Sequence, residues 1–310
     1  MAVPESGRRL SLVVNPHAGR GRARRVLPKV VSELVQALPG THVQVHQTES
    51  FDDARVRCHD IVEAARPGDS LVVMGGDGMA HLGVNACART DVRLGVIPAG
   101  TGNDFCRGVG IPTSVADATR VIAADHVERI DLNLADGGHL YEGGHQRHVG
   151  CIVSTGYDAR VNDRTNGIQI ALGALAYGFV ALAELATFTP LNYRIEVDGE
   201  RRELPAMFIA VANSGYFGGG IQVAPQADPT DGMLDLTIVH PVSRMTLVRL
   251  LPTLYTRHTG AFLNHPAVEL VRARRVTIDG DDMFAMADGE RLGDVPLTVT
   301  VEPGALSIYR

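Results

Sequence analysis

Apolar and polar positions alternate in two different rhythms along this chain. In the first 130 residues, short apolar runs recur at Arg9–Asn15, Val43–Gln47, Leu71–Met74 and Leu94–Ile97. Between and after them lie longer segments with helical spacing: Ala23–Leu38, Phe51–Ala65, about Ala80–Ala88, and Ser114–Ala124. Repeated strand–helix alternation predicts a mostly parallel sheet with helices on its faces. Ligands of such sheets sit at the carboxyl ends of the strands. After about Ile130 the rhythm changes. Asp-Gly pairs recur at Asp136, Asp198, Asp231, Asp279 and Asp288, flanked by short alternating segments such as Tyr193–Val197, Met207–Ala212, Leu234–Val239, Val276–Ile278 and Leu297–Val301. Asp-Gly between alternating runs signals hairpins. The second half therefore reads as antiparallel sheet, with helices at about Ile168–Ala186 and Met245–Leu254.

The 310 residues are enough for one or two domains with a sizeable core. The division expected is an α/β domain over residues 8–130, a β-rich domain over 131–301, and a last segment, 302–310, that packs back on the first. A formal net charge of −6 argues against a dedicated nucleic-acid binder. Cys58, Cys87, Cys106 and Cys151 form no CxxC pair, which suits unpaired thiols in a reducing compartment. Met1–Arg9 has no apolar run, so no secretory leader is expected. Thr165–Ala183 carries no charge and approaches the roughly 20 residues that span a bilayer. It is rich in Ala and Gly, contains Gln169 and meets Glu184, so a buried or cleft-lining helix is the expectation.

Three turns follow apolar runs and could carry chemistry. Asn15-Pro16-His17-Ala18-Gly19 precedes Arg20, Arg22, Arg24 and Arg25. It reads as a phosphate-facing turn opening a helix, or as an ordinary strand-to-helix turn with a solvated basic face. Gly75-Gly76-Asp77-Gly78 is more specific, since three glycines around one acid permit close backbone approach to a ligand. In Gly100-Thr101-Gly102-Asn103-Asp104, Thr101 can donate to a phosphate oxygen, while Asn103 and Asp104 can cap a helix or hold a metal. Asp198-Gly199-Glu200 and Asp288-Gly289-Glu290 are the same tripeptide, and local chemistry does not separate them. His139, His145 and His148 read as surface residues, and Asn85 and Ser214 as structural ones.

On these motifs the chain resembles the diacylglycerol-kinase catalytic-domain family, which includes bacterial lipid kinases and sphingosine kinases. The first turn matches the family's Asn-Pro-x-x-Gly loop and the second its Gly-Gly-Asp-Gly signature. Ile97–Asp104 matches Pro-x-Gly-Thr-x-Asn-Asp. Ala212-Asn213-Ser214, Gly218-Gly219-Gly220, Ala224-Pro225 and Asp231-Gly232 fit the second-domain segment. The resemblance implies a doubly wound α/β domain like those of phosphofructokinase and NAD kinase, followed by a C-terminal antiparallel β-sandwich. It implies ATP contacts from Asn15, Pro16, His17, Ala18, Gly19, Thr48, Gly75, Gly76, Asp77, Gly78, Met79, Ala80, His81 and Thr101. Asp77, Asp104 and Asp231 would form an acidic network around Mg2+, with the carbonyls of Asp228 and Met233 as further ligands. Asp288 or Glu290 would be the catalytic base, Asp288 being favoured. The activity implied is ATP-dependent phosphorylation of a lipid hydroxyl, diacylglycerol to phosphatidic acid, by a cytoplasmic protein associated peripherally with a membrane. Oligomeric state is not readable, and a homodimer stays open. Met79, His81 and Leu82 depart from the family's Thr, Asn and Glu. The alternatives are a soluble NAD-kinase-like enzyme, a sphingoid-base or ceramide kinase, and a non-catalytic lipid-binding relative.

Overall fold

The computed structural model describes residues 7–137, 140–141, 143–166, 189–250 and 260–310. The chain divides into two compact units, 1–131 with 303–310, and 132–302. In the first unit the order is β1 (Arg9–Val14), α1 (Ala18–Ala37), β2 (His42–Gln47), α2 (Phe51–Glu63), β3 (Ser70–Gly75), α3 (Asp77–Cys87), β4 (Arg93–Pro98), α4 (Asp104–Gly108) and α5 (Val115–Ala123). The strands are parallel in the order β2-β1-β3-β4, and Ile308 of the C-terminal segment pairs with Leu94 of β4. Every residue of β3 is buried, as expected for a strand covered on both faces. β2 lies at the edge and keeps only a half-buried alternation. The core joins Leu10, Leu12, Val14, Val72, Met74 and Ile97 of the sheet to Leu27, Val30 and Leu34 of α1 and Ile122 of α5. Tyr309 is fully buried in the same cluster and shares a 2.7 Å hydrogen bond with Ser70. The last residues thereby complete the first unit's sheet.

Helix starts follow local chemistry. Ser50 caps α2 by accepting from the Asp53 N–H at 3.0 Å, and Asp53 accepts from the Glu49 N–H in return. Asp52 and Asp53 in the first turn also suit the positive end of the helix dipole. The α1 segment is interrupted near its start, where Gly19, Arg20 and Gly21 are left-handed at φ +59°, +57° and +80°. The periodic pattern therefore becomes legible only beyond them.

In the second unit β5 (Val127–Gly137), which begins in the first, pairs with β6 (Gln146–Val149). There follow β7 (Ile152–Gly156), α6 (Tyr157–Asn166), β8 (Leu191–Val197), β9 (Glu200–Ala206), β10 (Phe208–Ala212), β11 (Tyr216–Phe217), β12 (Ile221–Gln222) and β13 (Leu234–Val239). After α7 (Arg244–Leu250) come β14 (Val268–Ala273), β15 (Arg275–Gly280), β16 (Phe284–Ala287), β17 (Glu290–Asp294) and β18 (Leu297–Tyr309). One antiparallel sheet runs β14-β13-β10-β7-β16-β17; a second layer includes β18-β15-β8-β9. One core unites inward residues of both, with Val153, Ile209, Val211, Leu236 and Ala285 meeting Tyr193, Ile195, Val276, Ile278 and Val299. This is a β-sandwich. The helix expected at Ile168–Ala186 lies outside the described residues, as does the end of the one expected at Met245–Leu254. Among the described residues no helix is long and apolar enough to cross a membrane.

Only two of the five Asp-Gly pairs are two-residue hairpin turns. Asp198-Gly199 and Asp288-Gly289 have φ of +47° and +92°, and +49° and +89°. Such a turn requires both central residues in the left-handed region. Asp136-Gly137 and Asp279-Gly280 instead end strands in ordinary backbone, and Asp231-Gly232 belongs to the loop before β13.

All four cysteines are buried and unpaired in disulfides. Burial pushes the Cys58 thiol up to about 12, and burial likewise raises Cys87 and Cys106. Thiolates are the reactive form. The folded protein is therefore expected to resist a chromogenic disulfide reagent at pH 8 and to release four thiols per chain in denaturant. Rapid stoichiometric labelling of the folded chain would contradict this packing.

Candidate functional site

The strand order puts β2 and β3 on opposite sides of β1. The winding reverses there, and ligands bind at the carboxyl edge of such a reversal. Asn15–Gly19 follows β1, Thr48 follows β2, Gly76 follows β3 and Ala99–Asn103 follows β4. Four loops thus meet at one edge of one sheet.

Their contacts explain the glycines. Asn15 donates its N–H to the Met74 carbonyl at 3.0 Å, and its Oδ1 accepts from the His17 N–H at 3.0 Å. A Cβ on Gly19 would stand 2.3 Å from the Ala99 carbonyl oxygen, so the first loop lies directly on the third. A Cβ on Gly100 would stand 2.5 Å from the Gly76 Cα, so the second and third loops touch backbone to backbone. Gly75 accepts from the Ala99 and Gly100 N–H groups at 2.7 and 3.1 Å. Asp77 closes the arrangement: its carboxylate accepts from the Asn103 N–H at 2.7 Å and the Phe105 N–H at 3.3 Å. Asp77 opens α3 while holding the start of α4, whose Asp104 is 7 % exposed.

Gly76–Gly78 stay half-exposed and Thr101 is exposed, so the backbone at the start of α3 is open to a ligand. Met79, Ala80 and His81 are buried, and Met79 packs against Gly75. The side chains of these three fill the interior behind the loop. Thr48 is buried, with its hydroxyl donating to the Val14 carbonyl at 3.2 Å. One neighbour escaped the sequence reading. Phe51, the first residue of α2, is 42 % exposed and lies against Gly78.

The second unit gathers its candidates at one sheet edge as well. Asp235 of β13 pairs with Ala212 of β10, Ala212 with Ile152 of β7, and Val153 with Ala287 of β16. The loops 228–233, 213–215, 150–151 and 288–289 therefore emerge at the same end, within about 14 Å by strand spacing. Asp288 accepts from the Gly150 and Cys151 N–H groups at 3.1 and 3.0 Å. The Gly150 carbonyl accepts from the Asn213 amide at 3.2 Å, and the Cys151 carbonyl from the Asn213 N–H at 2.8 Å. Asp198 uses its carboxylate in the same way, on the Arg274 and Arg275 N–H groups. Glu290, two residues past Asp288, is exposed at the start of β17.

Asp231 accepts from the Met233 N–H at 3.0 Å and pairs with Arg272. The Asp228 carboxylate accepts from Thr230. Asp235, 1 % exposed, adds a third carboxylate; its Oδ1 lies 3.7 Å from the Arg272 Nε, and burial pushes its pKa up. Arg272 thus pairs with both Asp231 and Asp235, and among the described residues these carboxylates do not gather into a group of three that could hold a metal ion. His148, expected at the surface, is half-buried with Nε2 2.9 Å from Glu302.

Replacing Gly100 by Ala should separate the second and third loops while sparing the core. ATP binding, measured by calorimetry, is expected to weaken more than tenfold, with the far-ultraviolet spectrum unchanged. Unaltered affinity would show that the contact of the two loops does not shape the site.

Two family models match the chain: the diacylglycerol kinase catalytic domain over residues 9–135, and the YegS C-terminal NAD kinase beta sandwich-like domain over residues 151–310. A diacylglycerol kinase of Mycobacterium tuberculosis is 33 % identical over 97 % of this chain and 95 % of its own length. One of Bacillus subtilis is 30 % identical, covering 93 % and 92 %. The fold matches the crystal structure of a diacylglycerol kinase from Bacillus anthracis, with TM-score 0.73, 22 % identity, and coverage of 99 % and 98 %. It also matches yeast NADH kinase complexed with NADH, with TM-score 0.53, 14 % identity, and coverage of 98 % and 82 %. With both of its units matched and its loops arranged as described, the chain belongs to the diacylglycerol kinase catalytic-domain family of kinases.

Proposed function

We propose that this protein is an ATP-dependent lipid kinase whose acceptor is the free hydroxyl of diacylglycerol and whose product is phosphatidic acid. The observation that carries the reading is the docking of three loops, glycine on backbone, at the winding reversal of the first unit's sheet. Half-exposed backbone at Gly76–Gly78 and the exposed Thr101 hydroxyl offer donors to phosphate oxygens without a Cβ in the way. The names of the relatives from Mycobacterium tuberculosis and Bacillus subtilis support diacylglycerol as the acceptor.

The transfer forms a bond from the acceptor oxygen to the γ-phosphorus and breaks the bond from that phosphorus to the β–γ bridging oxygen, releasing ADP. The acceptor's proton must go to a base. Asp288 is poorly suited, because its carboxylate already accepts two backbone N–H groups and fixes the Gly150–Cys151 turn. Glu290, on the exposed face of the same hairpin, is the better acceptor, with Asp288 as the residue that positions the hairpin. This departs from the sequence-based preference for Asp288.

Magnesium, when bound, would offset charge on the β- and γ-phosphates. Asp231, with the Asp228 and Met233 carbonyls, would hold a cation in the second unit, Asp235 lying beside them. The buried Asp104 and the loop-bound Asp77 would order the acidic side of the nucleotide site. A lipid acceptor implies a peripheral encounter with a membrane surface.

The fold shared with yeast NADH kinase keeps a soluble dinucleotide acceptor as the second reading. Both are tested by supplying labelled ATP and Mg2+ with diacylglycerol, sphingosine and ceramide in mixed micelles, and with NAD. Label in phosphatidic acid is expected; label in NADP would overturn the lipid reading. Glu290→Gln should lower kcat by about 10²–10⁴ with ATP affinity retained. Asp288→Asn should lower both kcat and melting temperature. Full turnover by Glu290→Gln would remove Glu290 as the base.

A further inference from the structure

The loops account for the phosphates of a nucleotide and leave its base without a partner. We propose that Phe51 is the platform on which the nucleobase stacks, a role that rests on the nucleotide reading above.

Four observations converge on this side chain. Phe51 is 42 % exposed, although phenylalanine normally buries its ring when a core is within reach. Among the described residues the other aromatic exposed to this degree is Tyr141, whose ring is already covered by Arg291 at 4.5 Å and whose hydroxyl donates to Asp294. Phe51 also sits on a rigid support. Ser50 caps the helix it begins, Asp53 returns the cap to Glu49, and Arg57 pins Asp53 at 2.7 Å. Its ring edge approaches the phosphate loop itself. The Cε2 atom is 3.3 Å from where a Cβ on Gly78 would stand, so a side chain at position 78 would press on the ring. The glycine after Asp77 thus permits phosphate approach on one side and admits the ring on the other. Finally, Phe51 follows Thr48, at the end of the edge strand β2, by three residues, which places it at the border of the nucleotide site.

A flat ring beside a triphosphate site suits a nucleobase because every base presents a π-face. Stacking is tolerant of base identity, so Phe51 would set affinity for a nucleoside triphosphate over bare polyphosphate. It would not choose among bases strictly.

The chain contains no tryptophan, so Phe51→Trp introduces a single indole reporter. The probes are ATP and inorganic tripolyphosphate, with Mg2+, on the full chain. Emission of the Phe51→Trp variant is expected to change on adding ATP and to stay unchanged with tripolyphosphate. Phe51→Ala and Phe51→Leu should each weaken ATP binding about tenfold. They should raise KM for ATP with kcat retained, and leave tripolyphosphate affinity and melting temperature as in the wild type. Wild-type ATP affinity in Phe51→Leu would overturn the proposal, since leucine keeps the apolar cover and lacks the ring face. Equal weakening of ATP and tripolyphosphate would also overturn it, by showing that Phe51 only supports the loop. If the wild type binds neither probe, the nucleotide reading fails, and the stacking role falls with it.

Discussion

The first unit depends on one carboxylate that joins two loops. Asp77 belongs to the turn after β3, yet its oxygens accept N–H groups from Asn103 and Phe105 in the turn after β4. The two strands are neighbours, so their loops would meet in any case. The carboxylate decides how they meet. It draws the third loop down until Gly100 rests on Gly76, and no side chain fits at that contact. Gly19 extends the same logic to the loop after β1, against Ala99. Hydrogen bonds to an ionised acceptor are roughly twice as strong as neutral ones. A single acid can therefore hold a backbone surface open to solvent on its outer side.

The second unit uses aspartate in the same manner, and the duplication is instructive. Asp198 and Asp288 occupy equivalent left-handed turn positions and each clamps two successive backbone N–H groups. One clamp tightens an edge of the sandwich. The other ties the β16–β17 hairpin to Gly150–Cys151, which in turn holds Asn213. The difference in consequence comes from what lies beyond each turn, not from the turn. Asp198 serves as an internal control for Asp288: a carboxylate so engaged is a structural clamp.

Much of this was legible in the sequence. The fully buried β3 and β4 cores and the amphipathic segments between them gave an α/β unit, and the alternation after residue 130 gave an antiparallel one. Both glycine loops were visible as motifs. Other features were not, for physical reasons. Asp-Gly marks a hairpin only where both residues can be left-handed, and that depends on strand register rather than on the pair, as Asp136 and Asp279 show. The α3 helix begins at Asp77 rather than near Ala80, because Gly76 serves as its cap and local propensity disfavours glycine there. Met79 and His81 look like site residues by position, but helical spacing turns them inward. Asp235 and Arg272 meet only through the pairing of β13 with β14. Phe51 belongs to no motif, and its closeness to Gly78 arises only in the fold.

Joined by Asp77, the loops after β3 and β4 are proposed to form the site for the phosphates of ATP. Titration calorimetry of ATP into wild-type protein and Asp77→Ala, each in the presence of Mg2+, tests this most directly. Loss of measurable ATP binding in the variant, with the sandwich unit still folded, is the predicted result. ATP binding by Asp77→Ala with wild-type affinity would contradict the account.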